Sequence, residues 1–535
     1  MSNTDSTIVE GPKLARALPS ATVPQFIREA IRRRPDALAM IDAPTGRTLT
    51  CAALDEQIGR AAAGLAAQGF SPGDTLLICS PNSPEWVIVA LGAMAAGGCV
   101  SGANPGYTVA ELAQQLRDSQ ARFAFTVPPL LDTVRRAAGQ TGCEHFIVAG
   151  LSEAGEAGDA LSLADLLAST GPEPLAPADP DTLALLPFSS GTTGLPKGVM
   201  LTHRTIVANV CQIVQGSEWP QGMVSLAFLP MFHAMGFVLA TLSGLAAGGT
   251  LVTLPRFEPE AFLSAIASRR VTHLIAVPPV MQFLAGHPMV STFDLSSLRL
   301  VGSGGAPMGA ALEDRVCARL KCPTVQGYGM TEVGAVLTLA DTRGALRPGS
   351  VGQVVPGTQA RVVDPATGRD LPRGEAGELW FRGPQLFSGY LGNPQSTAAT
   401  LTADGWIRTG DLGRIDADGF VFITDRLKEL IKVNGESVAP AELEALLMTH
   451  PAIADAAVIG RPDEHTGELP VAWVVPRSEL DAETLKAWFA ERVASHKRLA
   501  DVVRVDTIPR NPAGKPLRRV LRARDAERME SVGMS

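Results

Sequence analysis

No Cys-x-x-Cys pair occurs in this chain of 535 residues; its seven cysteines, Cys51, Cys79, Cys99, Cys143, Cys211, Cys317 and Cys322, are scattered. That excludes a cysteine-built metal cluster and fits a reducing compartment. The eight histidines show no metal-ligand spacing either. Long apolar runs are also missing. The longest, around Trp86 to Val100, is rich in Gly and Ala and follows Asn82 and Glu85, so it reads as a buried helix and not a membrane span. The opening MSNTDSTIVEGPK has no basic-then-apolar signal pattern. A cytoplasmic protein is the expectation. Positive charge is not in excess: the net charge is −8, which gives no field for nucleic acid. Lysine is scarce. Of 46 basic residues only Lys13, Lys197, Lys321, Lys428, Lys432, Lys486, Lys497 and Lys515 are lysine. A position that keeps lysine in so arginine-rich a chain is a candidate for needing a compact point charge.

What remains is the balance of a globular enzyme, 46% hydrophobic and 19% charged. The length predicts two to four domains. From about residue 20 to 150, helical periodicities alternate with short apolar runs such as Thr75–Ser80 and Phe123–Pro128, an α/β rhythm. Residues 152–181 read as a surface connection. A second α/β region opens with the apolar run Leu183–Phe188, which leads into SSGTTGLPKG (Ser189–Gly198). Thr202 caps the helical spacing that begins at Ile206. Read as strand, glycine-rich loop and helix, this would aim backbone N–H groups at an anion. It is not the usual nucleotide-triphosphate loop, because Leu195 and Pro196 separate Gly194 from Lys197. Further strands are predicted at His273–Val277, Leu298–Val301 and Thr324–Gly327. After Arg347, short runs at Gly352, Ala360 and Gly377 predict a small antiparallel unit, and from Leu427 a compact α+β tail follows.

Three further stretches carry chemistry: QGYGMTE (Gln326–Glu332), TGDLGRIDADGFVFITDRLKELIKVNG (Thr409–Gly435) and NPAGKPLRR (Asn511–Arg519). Together with SSGTTGLPKG, in this order over residues 20 to 520, they resemble the adenylate-forming superfamily. That superfamily comprises acyl-CoA ligases, firefly luciferase and peptide-synthetase adenylation domains, and the 4-coumarate–CoA ligases are the nearest subgroup. The resemblance implies an α/β fold with a large N-terminal domain over 1–426. Within it lie subdomains at about 20–180 and 181–347 and a β-barrel-like unit at about 348–426. A smaller mobile α+β domain over 427–535 would pivot at Lys428. It also implies the reaction: ATP, Mg²⁺ and a carboxylic acid give acyl-AMP and pyrophosphate, and coenzyme A then displaces AMP. A monomer or homodimer is expected.

The resemblance assigns the phosphates to Ser189, Ser190, Gly191, Thr192, Thr193 and Lys197. The adenine pocket would be Gly304, Gly305, Ala306, Pro307, Gln326, Gly327 and Tyr328. Thr331 would touch phosphate, and Thr193 and Glu332 would hold Mg²⁺. Asp411 would accept the ribose hydroxyls with Arg426 beside it. Lys515 would be the catalytic cation, bridging carboxylate and α-phosphate. His233 would border the carboxylate and the thiol entry, and Arg256, Lys432, Asn434 and Gly435 would serve coenzyme A. The acyl pocket would be His233, Met235, Gly302, Gly305, Ala335 and Val336. Met235, where plant relatives carry tyrosine, offers no phenol partner. An apolar, roomy pocket for aryl-propenoates follows, with medium-chain fatty acids as the alternative. Rival readings are a carrier-protein-loading adenylation enzyme, a luciferase-like oxygenase and a non-catalytic nucleotide-binding module.

Overall fold

The computed structural model describes residues 7–150, 158, 160–169, 171–174, 179–189, 196–217, 219–434, 436–463, 465–511 and 514–532. The chain is mixed α/β, with a large N-terminal domain and a smaller C-terminal one. Two sheets form the centre of the large domain. In the first, Thr75–Cys79, Cys99–Ala103, Phe123–Thr126 and His145–Val148 run parallel. Thr75–Cys79 is buried along its whole length, as a parallel strand covered on both faces must be. The helix Pro84–Ala95 starts on Ser83, whose hydroxyl accepts from Trp86 N at 3.2 Å. Nearly every side of it is buried, including Trp86, Val87, Ile88 and Leu91. It is the apolar run of the sequence, and no helix among the described residues is long and apolar enough to cross a membrane.

The second sheet carries His273–Ala276, Leu300–Ser303 and Thr324–Tyr328 in parallel. The predicted strand at Leu298–Val301 is therefore displaced by two residues. Leu298 closes a turn on Leu295, and Ser303 rather than Leu298 takes a place in the ladder. The two sheets also do not separate near residue 180. Leu38–Asp42 runs beside Thr250–Thr253 in the second sheet, whereas Leu183–Leu185 and Lys197–Thr202 complete the first.

The phosphate-loop motif departs from expectation. Phe188–Ser189 pairs antiparallel with Gly198 and Lys197, and a strand, not a helix, follows the loop. The run KGVMLT, apolar at Val199, Met200 and Leu201 and β-branched at Val199 and Thr202, suits the ladder it joins. The helix waits for Thr202, whose hydroxyl accepts from Thr205 N at 3.2 Å. The described residues on either side of the loop thus form a strand pair.

Val9–Glu10, Gln359–Val363, Gly377–Arg382, Ile407–Ile415 and Val421–Arg426 form an antiparallel sheet. The nearby pair Gly389–Tyr390 leaves that sheet and docks on Lys197–Thr202 instead. The C-terminal strands, Ile431–Val433, Glu436–Val438, Ile453–Asp463, Gly467–Pro476 and Asp501–Arg504, make a sheet of their own. Their core includes Leu443, Leu447, Val458, Val474, Leu485 and Phe489, all fully buried.

Candidate active site

Three strands bring the first three side chains together. Asp411 and Arg426 face each other in register across Ile407–Ile415 and Val421–Arg426, and Tyr328 closes Thr324–Tyr328. Arg426 Nε lies 3.0 Å from Asp411 Oδ1, and Tyr328 Oη donates to Asp411 Oδ2 at 2.6 Å. Asp411 is buried, and its backbone N–H donates to Thr409 Oγ1. Burial first, then the Asp411 charge, pushes the Tyr328 phenol well above its ordinary range, so it stays a neutral donor. The charge of Asp411 raises the Arg426 guanidinium further. Each carboxylate oxygen has two lone pairs, so a second acceptor position remains on both.

Lys515 reaches this cluster from the C-terminal domain. Its loop is braced: Lys515 N donates to Asn511 Oδ1 at 2.9 Å, Asn511 N to Lys515 O at 2.9 Å, and Arg510 Nη1 to Gly514 O at 2.7 Å. Gly514 has φ +79°, and a Cβ there would come within 3.1 Å of Pro279 Cδ in the large domain. The loop therefore sits against the helix Pro278–Gly286. Burial, and next the charge of Arg426, lowers the Lys515 ammonium to about 8; Asp411, Glu429 and Glu332 act the other way. Burial and then Lys515 itself lower His233 to about 4. At neutral pH a neutral imidazole thus stands beside an ammonium that is still charged.

Glu332 lies in the turn Thr331–Val333 and is buried. Its Oε1 accepts from Tyr390 Oη at 2.8 Å, while Oε2 accepts nothing among the described residues. Lys197 Nζ donates to Ser396 Oγ at 2.9 Å and stands 5.1 Å from the Tyr390 ring centroid. Ser189 pairs with Lys197, but Ser190, Gly191, Thr192 and Thr193 lie outside the described residues. No group of three or more His, Cys, Asp or Glu among the described residues could cage a metal. One hard carboxylate beside a cation suits Mg²⁺ that is shared with phosphates, which takes only one or two protein oxygens. Glu332 fits that role.

The acyl-side residues meet in one apolar cluster. Met235, Ala335 and Val336 join Ile213, Leu239, Val355, Trp219, Ile275 and Leu339. The space left by Gly302 is not open: a Cβ there would lie 2.9 Å from Ile275 Cδ1. Ile275 Cδ1 occupies the space beside Gly302. At Gly304 a Cβ would touch Met235 Sδ and Gly327 O at 3.4 Å each; Gly305 has φ +83°, with Ala306 partly exposed and Pro307 exposed. Trp219 Nε1, the cluster's polar hydrogen, is taken by Ser217 Oγ at 2.7 Å. Gln326 is buried and donates to Glu313 Oε2 at 2.7 Å, so its side chain is engaged within the fold. Gly329, unmarked by the sequence reading, is indispensable to the wall. A Cβ there would fall 1.9 Å from Ala335 O.

The coenzyme A residues do not converge. Arg256 is 80% exposed on its side chain and pairs with Glu258 at 2.8 Å. Lys432 and Asn434 lie on the C-terminal hairpin, where Lys432 Nζ donates to Ser437 Oγ and Asn434 adopts φ +53°. No hydrogen bond or ion pair among the described residues joins Arg256 to them, and Gly435 is outside those residues. Lys428 is exposed between Leu427, bonded to Gly410 O, and Glu429, bonded to Arg426 O. Tyr390 and Ser396 were also unmarked. The rarity of tyrosine, three in the chain, with two of them in this site, was the signal available.

Residues 27–391 match the profile of the family described as AMP-binding enzyme, and residues 442–515 that of the AMP-binding enzyme C-terminal domain. The chain is 41% identical to 4-coumarate–CoA ligase 1 of Petroselinum crispum over 93% of each chain. It superposes on ATP-bound MatB from Rhodopseudomonas palustris with a TM-score of 0.85 and 31% identity, covering 94% of this chain and 98% of that one. An anthranilate CoA ligase in complex with anthranoyl-AMP gives 0.86 at 26% identity, covering 95% and 98%.

Proposed function

Since this chain belongs to the AMP-binding enzyme family, we infer that it is an AMP-forming acid–CoA ligase for acids of the aryl, cinnamic type. One arrangement supports the assignment of roles: the loop of Lys515, in the C-terminal domain, sits against Pro279 of the large domain, where the charges of Arg426, Asp411 and Glu332 act on its ammonium. In the first half-reaction a carboxylate oxygen of the acid bonds to the α-phosphorus of ATP, and pyrophosphate leaves with the bond's electron pair. Lys515 holds the two anionic partners together as charge builds between them. The neutral His233 adds no competing cation beside it. Lys197 attracts the leaving phosphates, and Asp411 accepts from the ribose hydroxyls. Magnesium, when bound through Glu332 and the triphosphate, neutralises phosphate charge. In the second half-reaction the thiol of coenzyme A gives its proton to solvent, its sulfur bonds to the acyl carbon, and AMP departs with its oxygen and the electron pair of the acyl C–O bond. Lys515 then has no transition-state charge to stabilise, and rotation about Lys428 withdraws it. Arg256, Lys432 and Asn434, apart in the present arrangement, belong to that second state. A cytoplasmic location and a monomer or homodimer complete the proposal. Seven free cysteines, six of them buried, support the reducing compartment.

The reading is tested by pyrophosphate release with a panel of acids, with and without coenzyme A. An acid-dependent, CoA-independent first step followed by CoA-dependent AMP release is expected. CoA-independent AMP release with light or oxygen uptake would refute it. The acyl cluster makes the panel sharper. Met235, Ala335 and Val336 bring no hydroxyl or amine donor to it, and an unpartnered hydroxyl costs about 1–3 kcal/mol to bury. Cinnamate should therefore be used at least as well as 4-coumarate, by kcat/KM. Met235→Tyr should shift the preference toward the hydroxylated acid. A wild-type preference for 4-coumarate above roughly tenfold, the factor that 1.4 kcal/mol represents, would show that another residue supplies the phenol's partner.

The pH profile follows from Lys515. Its ammonium, lowered to about 8 from an ordinary 10.5, is charged below that pH and neutral above it. The kcat/KM of adenylation should fall as pH rises through about 8, because the free enzyme loses the cation. Bound phosphates favour the charged form, so the corresponding limb of kcat should lie higher. The stability effect has the opposite sense. A depressed folded-state ammonium weakens the fold while it is charged, and this cost lifts as pH rises from about 8 toward 10.5. Coincident limbs in kcat and kcat/KM that survive in Lys515→Arg would assign the titration to another group.

A further inference from the structure

Tyr390 touches both charged groups of the phosphate side at once. Its strand, Gly389–Tyr390, pairs antiparallel with Lys197–Thr202, with Tyr390 opposite Val199. Its hydroxyl donates to Glu332 Oε1 at 2.8 Å, and its ring lies 5.1 Å from Lys197 Nζ. The ring itself is fixed. Phe387 packs edge-on at 5.0 Å, Tyr390 N donates to Thr397 Oγ1 at 2.9 Å, and Phe387 N donates to Glu332 O at 2.8 Å. The residue is buried.

Tyr390 thus contacts a cation on its ring and a carboxylate at its hydroxyl, groups of opposite sign that attract each other unless each is engaged separately. An ammonium neutralised by Glu332 would be lost to the phosphates, and the carboxylate would be lost to the metal. The aromatic face satisfies the ammonium without consuming its charge, and the hydroxyl fixes one carboxylate oxygen while leaving the other open. We propose that Tyr390 is a positioning residue that holds Glu332 ready for the metal of MgATP and keeps Lys197 an unpaired cation for the phosphates. The inference rests on the ligase reading of the site.

Its test measures ATP binding by calorimetry with a non-hydrolysable imido analogue of ATP, once in EDTA and once in Mg²⁺. Tyr390→Phe keeps the ring and loses the hydroxyl. Its affinity in EDTA should equal that of wild type, whereas in Mg²⁺ it should weaken about tenfold, the scale of a hydrogen bond to a charged group. Tyr390→Leu loses the ring as well and should weaken binding in EDTA too. In a Glu332→Gln background, Tyr390→Phe should have no further effect on the Mg²⁺-dependent part. Equal weakening of Tyr390→Phe in EDTA and Mg²⁺, no weakening at all, or full additivity with Glu332→Gln would each overturn the proposal. Should Tyr390→Phe melt far below wild type, Glu332→Gln alone still decides: an unchanged Mg²⁺ dependence overturns it, and a lost one supports it. A wild-type protein that binds no analogue under either condition would overturn the ligase reading as well.

Discussion

Lys515→Ala should abolish acyl-AMP formation, with a loss on the order of 10²-fold or more, while leaving the conversion of supplied acyl-AMP to acyl-CoA close to wild type. The magnitude is that of removing one preorganised charge partner from a transition state. The asymmetry follows from position. Lys515 sits on a loop of the C-terminal domain, braced by Asn511 and Arg510 and pressed against Pro279. The burial that lowers its ammonium to about 8 also strengthens its pull on any anion bound there. In the proposed rotation of the C-terminal domain the whole braced loop would leave with it. Acid-dependent pyrophosphate release measures the first step, and thioester formation from synthetic acyl-AMP measures the second. Equal losses in both, with an unchanged melting temperature, would mean that Lys515 stays in place throughout the cycle.

The charged groups of the candidate site were legible because a charge requirement dictates residue type. A lysine kept in an arginine-rich chain and an Asp before a strand-rich DR run each announce a charge requirement; Asp411, Arg426 and Tyr328 do lie together, and the charges of Arg426 and Asp411 act on Lys515. Strands such as Thr75–Cys79 and His273–Ala276 were legible because continuous apolar runs bounded by turns leave few alternatives. Three things were not. The segment after the phosphate loop has a helix cap at Thr202, and nothing local reveals that Lys197–Thr202 first pairs with Leu183–Leu185 and Gly389–Tyr390. Gly302 reads as empty space until Ile275, from the neighbouring strand, is found filling it. Tyr390 matters through Glu332 and Lys197, 58 positions away for the first of them. All three depend on pairing between distant segments, which periodicity within a window does not encode.

Lys428→Pro should do the reverse of Lys515→Ala. Adenylation should stay within a few-fold of wild type, while thioester formation falls on the order of 10²-fold, the cost of misplacing a reacting group. Proline fixes φ near −65° and removes the backbone donor, and it drives the preceding Leu427 toward extended conformations. Neither change harms the present arrangement greatly. The flanking Leu427 N and Glu429 N carry the local bonds, to Gly410 O and Arg426 O, and no backbone bond from Lys428 N is among those of the described residues. The contacts across the pivot also hold without Lys428. Asp425 Oδ2 accepts from Ala441 N at 2.9 Å, and Arg518 ties Glu429 to Glu444 inside the C-terminal domain. What proline forbids is the change of backbone angles by which that body would swing as a unit. The variant should therefore accumulate tightly held acyl-AMP, seen as a pyrophosphate burst equal to the enzyme concentration, with little CoA-dependent turnover after it. Unimpaired overall turnover would move the pivot elsewhere, and Glu429, held to Arg518, would travel with the domain as part of its rigid body.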